Sequence, residues 1–406
     1  MKQLLFVSIC FPPKSDPECL QTAKYYYYLQ QLKAFDIEIV TSASPTLFMP
    51  VDQDLKRYDV GYSNKVELKI PENKYLNFLW RKIFKEGIDW PDSKKAFHLQ
   101  WKKATRKINK KPDVIYSRAY PLSSTFMAYR LQQHYQVPWI LHLSDPWADS
   151  PIHNFSPKQY AYHKKWEASC FAAATKLCFT SEPTLEMYQK AYPEYKEKLC
   201  YFPNVYDPAD LHPNPYQFGQ KIKVVYTGGL VGPRNISYLI NALRLLKKED
   251  PQQLAAFEFI FAGAMDRASE ALFRQEEFDN IKHVGLLSYN EALNLQRSAD
   301  YLLVIDNPIE DPTKAVFFPS KLLDYFMAQR RILAISTLNG ATHKVLDSIG
   351  ALTFSHQNAE GLKNELLRIA SAFQEKDSKF FNFENLPEIY SAPYNANKLK
   401  DLILSL

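Results

Sequence analysis

Hydrophobic residues occur along this chain in short runs, and amphipathic stretches separate most of them. The runs span 4–9, 37–42, 113–117, 138–143, 176–181, 223–228, 257–263, a weaker 283–287, 301–305 and 331–336. Such runs, alternating with helical patterns as at 236–248 and 291–300, predict parallel strands covered on both faces. Two successive series of this kind predict an α/β protein with two doubly wound, Rossmann-like domains that face each other across a cleft.

Residues 201–215 interrupt this alternation, because prolines, asparagines and polar turns remove the periodicity there. We therefore predict an amino-terminal domain over 1–204 and a second domain over 205–385. The helical pattern of 395–406 predicts a last helix within 386–406.

Composition narrows the functional class. The net charge of +6 over 406 residues suits an anionic small molecule or an acidic membrane surface better than nucleic acid. The five cysteines have no CxxC spacing, so we predict reduced, mostly buried thiols in a cytoplasmic protein, with no metal site. The apolar run at 4–11 is short and meets two prolines, which favours a first strand over a signal peptide.

Residues 74–111 are rich in lysine, arginine, tryptophan and phenylalanine. This mixture is typical of a helix at a membrane interface, with aromatic side chains inward and cations toward acidic headgroups. A helix packed on the domain with a solvated basic face explains the same pattern. Peripheral association with the cytoplasmic face of a membrane is therefore one of two interpretations.

The segment TGGLVGPRN (227–235) lies between a predicted strand and a predicted helix. Gly228 and Gly229 allow a ligand to approach the backbone closely, and Arg234 adds a bidentate cation near the next helix, so the loop could receive a diphosphate. Neither GxxxxGK[ST] nor GxGxxG is present, and a plain turn is the alternative.

A second loop-to-helix transition is FFPSKLLDYF (317–326). Ser320 and Lys321 would present donors at the helix start, where an anion is favoured. Asp324, one turn further, could accept hydrogen bonds from vicinal hydroxyls, as carboxylates do for ribose. An ordinary capped surface helix is the alternative.

In the first half of the chain, HLSDPWADS (142–150) places His142 and Asp145 where a buried strand ends. A histidine in a strand is more often a core residue than a catalytic one, but a strand end that faces the cleft favours chemistry. HExxH and GxSxG are absent, so the sequence carries no signature of that type of zinc site or of a serine hydrolase. Other strand-end loops supply candidates for binding an acceptor: Ser15, Asp16 and Arg118.

These motifs together resemble the retaining family-4 glycosyltransferases of the GT-B fold, which extend bacterial cell-surface glycans. The similar segments run nearly end to end and include LLFVSICFPP, PDVIYSRAYPLSS, PWILHLSDPWADSP, FPNVYDPADLHP, VVYTGGLVGPRN, FIFAG, VGLLSYNEALNLQRSADYLLVI and FPSKLLDYFMAQRRILAIS. The resemblance implies transfer of a sugar, with retention, from a nucleoside-diphosphate sugar to a glycan or lipid-linked acceptor. It implies no metal or other cofactor, and a last helix that crosses back onto the first domain.

The resemblance also implies roles for single residues. His142 corresponds to the histidine that contacts the donor sugar, Arg234 to the lysine of the phosphate loop, and Asp324 to the ribose-binding glutamate. The backbone amides that hold the distal phosphate correspond to Ser320 and Lys321.

Three features depart from the family pattern. Gly229 stands where the first arginine of the phosphate loop is usual, and Val316 stands where the first of two paired acids is usual. Ser15 and Asp16 replace a glycine pair after the opening strand. Two other functions therefore stay open: a catalytically silent nucleotide-sugar-binding protein, and a sugar-nucleotide epimerase of the same architecture. Asp145 either touches the acceptor or holds its loop.

Overall fold

The computed structural model describes residues 1–43, 49–71, 90–151, 153–211, 214–275, 278–383 and 386–406. Contacts divide the chain into two compact units. The amino-terminal unit consists of Met1–Val205 together with Ile389–Leu406, and the carboxyl-terminal unit consists of Tyr206–Glu388. These limits lie within a few residues of the boundaries expected after 204 and 385.

The amino-terminal unit is built on a parallel sheet. Its strands are β1 (Lys2–Val7), β2 (Phe35–Ser42), β3 (Asn64–Leu68), β4 (Val114–Ala119), β5 (Trp139–Leu143), β6 (Lys176–Phe179) and β7 (Leu199–Tyr201). They are ordered β3-β2-β1-β4-β5-β6-β7. Its helices up to the interdomain segment are α1 (Pro17–Gln31), α2 (Ala96–Leu99), α3 (Trp101–Thr105), α4 (Leu122–Tyr135), α5 (Pro157–Ala173) and α6 (Glu182–Ala191), with 3₁₀ turns at Gln53–Tyr58 and Pro193–Lys198.

The carboxyl-terminal unit contains a second parallel sheet. Its strands are β8 (Ile222–Thr227), β9 (Phe257–Ala262), β10 (Ile281–His283), β11 (Tyr301–Ile305), β12 (Arg331–Ile335) and β13 (Leu352–Phe354), in the order β10-β9-β8-β11-β12-β13. Its helices are α7 (Ser237–Glu249), α8 (Pro251–Ala255), α9 (Arg267–Gln275), α10 (Tyr289–Arg297), α11 (Lys321–Ala328), α12 (Ala341–Ser348), α13 (Ala359–Gln374) and α14 (Ser378–Phe381). Short 3₁₀ turns lie at Pro208–Asp210, Pro312–Lys314 and Glu388–Tyr390.

The last helix, α15 (Ala392–Leu404), belongs to the amino-terminal unit. It packs with α1 on one face of the sheet, where Leu4 and Phe6 of β1 are buried. The alternate residues Leu5 and Val7 point into a separate core on the opposite face. Because both faces are covered, the strands are continuous apolar runs with no polar alternation, as buried parallel sheets require.

Each sheet reverses its strand order once. In the amino-terminal unit β1 lies between β2 and β4, and in the carboxyl-terminal unit β8 lies between β9 and β11. Ligands of doubly wound sheets bind beyond the carboxyl ends of the strands at such reversals. A ligand is therefore expected near the loops that follow β1 and β4, with the loop after β5 beside them, and near those that follow β8 and β11.

Nine of the ten predicted apolar runs coincide with strands, and the weaker run 283–287 was wrong for most of its length. The strand there ends at His283. The strands β3, β7 and β13 were not predicted, because β7 and β13 have only three residues each and β3 is apolar at only two of its five positions. Residues 74–89 of the basic aromatic segment lie outside the described residues. Within its remainder, Phe97 and Ala104 are buried in the core. Across the described residues, no helix has both the length and the apolar content that a membrane span needs.

Candidate functional site

Two glycines bring the loops after β8 and β9 into direct backbone contact. Gly228 and Gly263 both have φ near +134°, a conformation that other residues rarely adopt. A Cβ atom at Gly263 would lie 2.1 Å from the carbonyl oxygen of Gly228, so a side chain does not fit there. The amide of Gly232 donates to Asp266 at 2.7 Å, which also holds the loop against the start of α9.

Gly263→Ala is expected to destabilise the carboxyl-terminal unit by about 3 kcal/mol, because steric overlap adds to an unfavourable φ. Denaturant unfolding followed by tyrosine fluorescence and circular dichroism would measure the loss, because all six tryptophans lie in the amino-terminal unit. Gly350→Ala is the matched control, because Gly350 also has a positive φ but open space around its Cβ position. It should lose only about 1 kcal/mol. Equal losses in the two variants would contradict the close packing of the two loops.

Lys321 opens α11 and turns its side chain inward toward the glycine loop. Its Nζ lies 3.9 Å from the centre of the Tyr226 ring, and a Cβ at Gly228 would be 3.7 Å from it. This Nζ is buried and has no hydrogen-bond partner among the described residues. Burial is the main cause that holds the pKa of Lys321 well below its usual value, and the charge of Arg234 lowers it further, while the charge of Asp306 acts to raise it.

Arg234 carries the second cation of this site. Its Nε is buried and, within the described part of the chain, has no hydrogen-bond partner. Burial raises the pKa of Tyr226, while the charge of Arg234 and a hydrogen bond with it act in the opposite direction. The Tyr226 hydroxyl also donates to the carbonyl of Gly229 at 2.9 Å. Two cations with unused donors thus lie around one tyrosine beside the glycine loop.

The start of α11 supplies further donors. Ser320 is the residue before the helix and makes no side-chain cap. The first amides of a helix have no partner within the helix, and the helix dipole favours an anion near them. Because Ser320 is adjacent to Lys321, these amides and the lysine charge belong to one site.

Asp324 lies one turn further along α11. Its carboxylate receives a long hydrogen bond of 3.4 Å from the hydroxyl of Tyr289 on α10, which also donates to Asp210 at 3.1 Å. Val316, where the family pattern has its first acid, is 1% exposed and belongs to the apolar core. Of the two paired acids of that pattern, this chain therefore has the second, Asp324, and lacks the first.

In the amino-terminal unit, Arg118 at the end of β4 is completely buried in an ion pair. Its Nε donates to Oε1 of Glu18 at 2.9 Å, and its Nη2 donates to Oγ of Ser144 at 3.0 Å. Burial acts to lower the pKa of Arg118, but the Glu18 carboxylate outweighs it and holds that pKa above its usual value. Arg118 is thus a cation already paired inside the unit, and its contact with an acceptor stays a prediction.

The ring of His142 is also buried, and the expectation that it faces an open strand end is wrong. Its Nδ1 accepts from the Tyr116 hydroxyl at 2.7 Å, and its Nε2 donates to the carbonyl of Phe202 at 3.0 Å. Burial and the Arg118 charge hold the pKa of His142 well below its usual value, so the ring is neutral. In the described structure both ring nitrogens are therefore used in hydrogen bonds inside the unit, and the side chain has no exposed surface. Its contact with a donor sugar stays a prediction.

Asp145 differs from its neighbours in the same loop. The described residues give its carboxyl no hydrogen bond, yet burial and the charge of Glu18 raise its pKa to about 6 against the opposing charge of Arg118. Trp147 is fully buried, and its indole Nε1 donates to His163 at 3.0 Å. The carboxylate of Asp149 accepts from Tyr160 and Lys164. Trp147 and Asp149 therefore hold the loop in place through hydrogen bonds, whereas the described residues give the Asp145 carboxyl none.

The two candidates after β1 have structural roles. The side chain of Asp16 caps α1 by accepting from the amide of Glu18 at 2.9 Å, and the amide of Ser15 donates to the carbonyl of Pro50 at 2.7 Å. Among the described residues, one group has ligand atoms close enough to share a metal ion: those of Cys10, Asp16 and Cys19 lie within 4.8 Å of one another. No spacing motif in the sequence indicates this group.

Sequence reasoning missed Glu18 and Tyr226. Glu18 lies in the first turn of α1 and resembles an ordinary helix-start acid in the sequence, yet it neutralises Arg118 a hundred positions away. Tyr226 resembles a core strand residue and is 1% exposed, but it is the residue around which Lys321 and Arg234 gather.

Several solved structures have a fold similar to that of this chain. HepE of Anabaena, in complex with UDP and glucose, has a TM-score of 0.65 at 11% sequence identity, and the match covers 100% of both chains. A glycosyltransferase from Rickettsia africae has a TM-score of 0.62 at 12% identity, covering 100% of this chain and 98% of that one. A putative UDP-N-acetylglucosamine 2-epimerase from Listeria monocytogenes has a TM-score of 0.60 at 13% identity, with 100% and 96% covered.

The chain has the GT-B fold. No protein-family model matches the sequence, and no curated protein does. Because the identities are low, the likeness to solved structures carries the fold alone, and the chemistry rests on the residues of the two units.

Proposed function

We propose that this protein is a glycosyltransferase that uses a nucleoside-diphosphate sugar as its donor. The observation that carries the proposal is the pair of cations in the carboxyl-terminal unit, where Lys321 and Arg234 present buried nitrogens without partners in the described structure. Holding two such charges close together costs free energy unless an anion binds there. A diphosphate supplies two negative charges and several acceptor oxygens at the required place.

The donor residues have separate tasks under this proposal. Gly228 and Gly229 let the diphosphate approach the backbone, and the amides at Ser320 and Lys321 bind the distal phosphate. Asp324 accepts from the ribose hydroxyls, with Tyr289 orienting its carboxylate. The structural neighbour HepE was solved with UDP and also with UDP-glucose, which makes uridine donors the first to test.

The reaction we propose is displacement of the nucleoside diphosphate with retention at the sugar carbon. The bond between that carbon and the diphosphate breaks, and the leaving oxygen gathers negative charge. The acceptor hydroxyl oxygen bonds to the same carbon, and the hydroxyl proton passes to the departing diphosphate. Lys321 and Arg234 stabilise this charge in a site with little water, where an electrostatic interaction is strongest. No step requires a metal. The acceptor is proposed to be a glycan or lipid-linked sugar of a surface polysaccharide, handled by a cytoplasmic protein at the inner face of the membrane.

On the acceptor side, we assign the main role to Asp145. It is the acid of the loop after β5 to which the described residues give no hydrogen bond, so its carboxyl can bind a sugar hydroxyl of the acceptor. The buried pair of Glu18 and Arg118, together with Ser144, holds the backbone from which Asp145 projects. His142 contributes by keeping β5 attached to the carbonyl of Phe202.

Asp145→Asn tests this role through activity and through pH. The pKa of Asp145 is raised in the folded protein, so its contribution to stability is fully present below the unfolded pKa of 3.8 and is lost as the pH rises through about 6. At about pH 7.5 the variant should therefore be more stable than the parent protein, by about 3 kcal/mol, and this difference should shrink toward pH 4. Transfer should fall by about 100-fold or more, because the acceptor loses its orienting contact.

Asp149→Asn is the control in the same loop. The Asp149 carboxylate accepts from Lys164 and Tyr160. Its replacement by asparagine should therefore lower stability at neutral pH, the opposite of the effect expected for Asp145→Asn. Thermal unfolding across the pH range would measure both variants. Stability of Asp145→Asn that falls below the parent at neutral pH would contradict the assignment.

The proposed function is tested by a thermal-shift screen of nucleoside diphosphates and their sugars, followed by an assay of diphosphate release. We expect binding of a nucleoside diphosphate and release that increases with an acceptor; NMR of the product would show whether the anomeric configuration is retained. Binding without any release would indicate the silent binder. Epimerisation of the sugar without loss of the diphosphate would indicate an epimerase. One of the structural neighbours is described as such an enzyme.

A further inference from the structure

Two cysteines of the amino-terminal sheet lie directly opposite each other. Cys178 on β6 and Cys200 on β7 are partners in the parallel register, so both side chains point to the same face. Neighbouring strands are about 4.8 Å apart, and a disulfide needs Cα atoms roughly 4.4–6.8 Å apart. The two thiols also lie close enough to interact with each other, and that of Cys200 donates to the carbonyl of Lys198 at 3.7 Å. A disulfide between them would need little movement of the backbone.

The two thiols differ in access to solvent. Cys178 is fully buried in the core beneath α1 and α15, whereas Cys200 is partly exposed on β7, the edge strand of the sheet. A small oxidant therefore reaches Cys200 first. Once Cys200 is oxidised, Cys178 is the thiol in position to react with it.

The surroundings of Cys200 favour its thiolate, the reactive form. The hydrogen bond from Cys178 and the charges of Lys176 and Lys398 lower the pKa of the Cys200 thiol to about 7, against the effect of burial. Lys398 is held in place on α15 by donating to the carbonyl of Tyr201 at 2.8 Å. The cation is thus a fixed part of the site.

We propose that Cys178 and Cys200 form a peroxide-reactive site that closes to a reversible disulfide at the edge of the amino-terminal sheet. The Cys200 thiolate attacks one peroxide oxygen, the O–O bond breaks, and after protonation of the departing oxygen the products are Cys200 sulfenic acid and water. The Cys178 thiol then displaces hydroxide from that sulfur, the S–S bond forms, and its proton leaves as part of a second water. Two thiols are oxidised, one peroxide is reduced to two waters, and a dithiol reductant reverses the reaction. This site is independent of the proposed transfer of sugars.

The chain contains its own matched control in Cys10 and Cys19. Their sulfur atoms lie within 4.8 Å of each other, yet both residues are fully buried. The hydrogen bond with Cys19 and burial raise the pKa of Cys10 well above its usual value. This pair has the proximity of the proposed site without its access to solvent.

The experiment is a titration of the full-length reduced protein with hydrogen peroxide, followed by alkylation, trypsin digestion and mass spectrometry. We expect a linked pair of the peptides 177–190 and 199–221, formed about tenfold faster than any link between 3–14 and 15–24, and removed by dithiothreitol. Cys178→Ser should leave Cys200 as a sulfenic acid that dimedone traps, and Cys200→Ser should protect Cys178. Thermal unfolding of both variants would show that they are folded.

The proposal would be overturned if no link formed between 177–190 and 199–221 in the folded protein, or if the two pairs formed links at equal rates. Loss of dimedone labelling at Cys200 in the folded Cys178→Ser variant would also overturn it, because the first step would then not occur at Cys200.

Discussion

Lys321→Met is expected to weaken binding of a nucleoside diphosphate by roughly 10- to 150-fold and to make the protein without ligand more stable. The loss corresponds to about 1.5–3 kcal/mol, the usual contribution of a hydrogen bond to a charged group. Both effects have one cause, because the lysine is buried beside Arg234 without a hydrogen-bond partner in the described structure. The charge that a phosphate would neutralise is a cost when no phosphate is bound.

The gain in stability should depend on pH in a defined direction. The pKa of Lys321 is lowered in the folded protein, so the unfolded chain binds more protons below the normal lysine pKa of 10.5. The stability of the parent protein therefore rises as the pH increases toward that value. Methionine does not titrate, so the advantage of the variant should be largest near neutral pH and smaller at alkaline pH.

Calorimetric titration with UDP and thermal unfolding without ligand would measure the two effects. Lys314→Met is the matched control, because Lys314 is an exposed lysine of the same unit with a side chain 67% accessible. It should change neither quantity by more than about 0.5 kcal/mol. Unchanged UDP affinity in Lys321→Met, with the parent protein binding UDP, would remove Lys321 from the phosphate site.

Glu18→Ala is expected to cost about 3–5 kcal/mol of stability, because it leaves a completely buried guanidinium without its counter-charge. Arg118 cannot escape by losing its proton, since an arginine stays charged at any pH a folded protein tolerates. Its Nε and Nη2 would also lose hydrogen bonds to Glu18. Denaturant unfolding at neutral pH would measure the loss.

Two further variants separate charge from packing. Glu186→Ala replaces an exposed acid of the same unit and should cost less than about 0.5 kcal/mol. The double variant Glu18→Ala with Arg118→Met removes both charges and should lose less than Glu18→Ala alone, since no uncompensated charge remains. If the double variant were less stable than the single one, the ion pair would not be the main cause.

The alternation of strands and helices could be predicted because it depends on local spacing. A run such as 301–305 is continuously apolar because β11 is covered on both faces, and that property is visible in five consecutive residues. The edge strand β7 was missed because it has only three residues, LCY, which are too few to distinguish a strand from a loop.

Some residues of the candidate site could likewise be predicted from local pattern, and others could not. Gly228, Arg234 and Lys321 were found from loop composition next to predicted strands and helices, and the structure brings all three to Tyr226. The burial of His142 could not be predicted, because its Nε2 is covered by the carbonyl of Phe202, sixty positions later. A histidine at a strand end has the same sequence pattern whether its ring is exposed or buried.

The sequence by itself determined the α/β class, the two series of strands and the chemical character of the loops, since these depend on residue type and on spacing within a few turns. Only the tertiary structure decided that β1 lies between β2 and β4, that Glu18 neutralises Arg118, and that Cys178 faces Cys200. The physical reason is that strand order and charge pairing depend on contacts between distant parts of the chain. A local pattern specifies what a residue can do, and the fold selects the partner with which it does it.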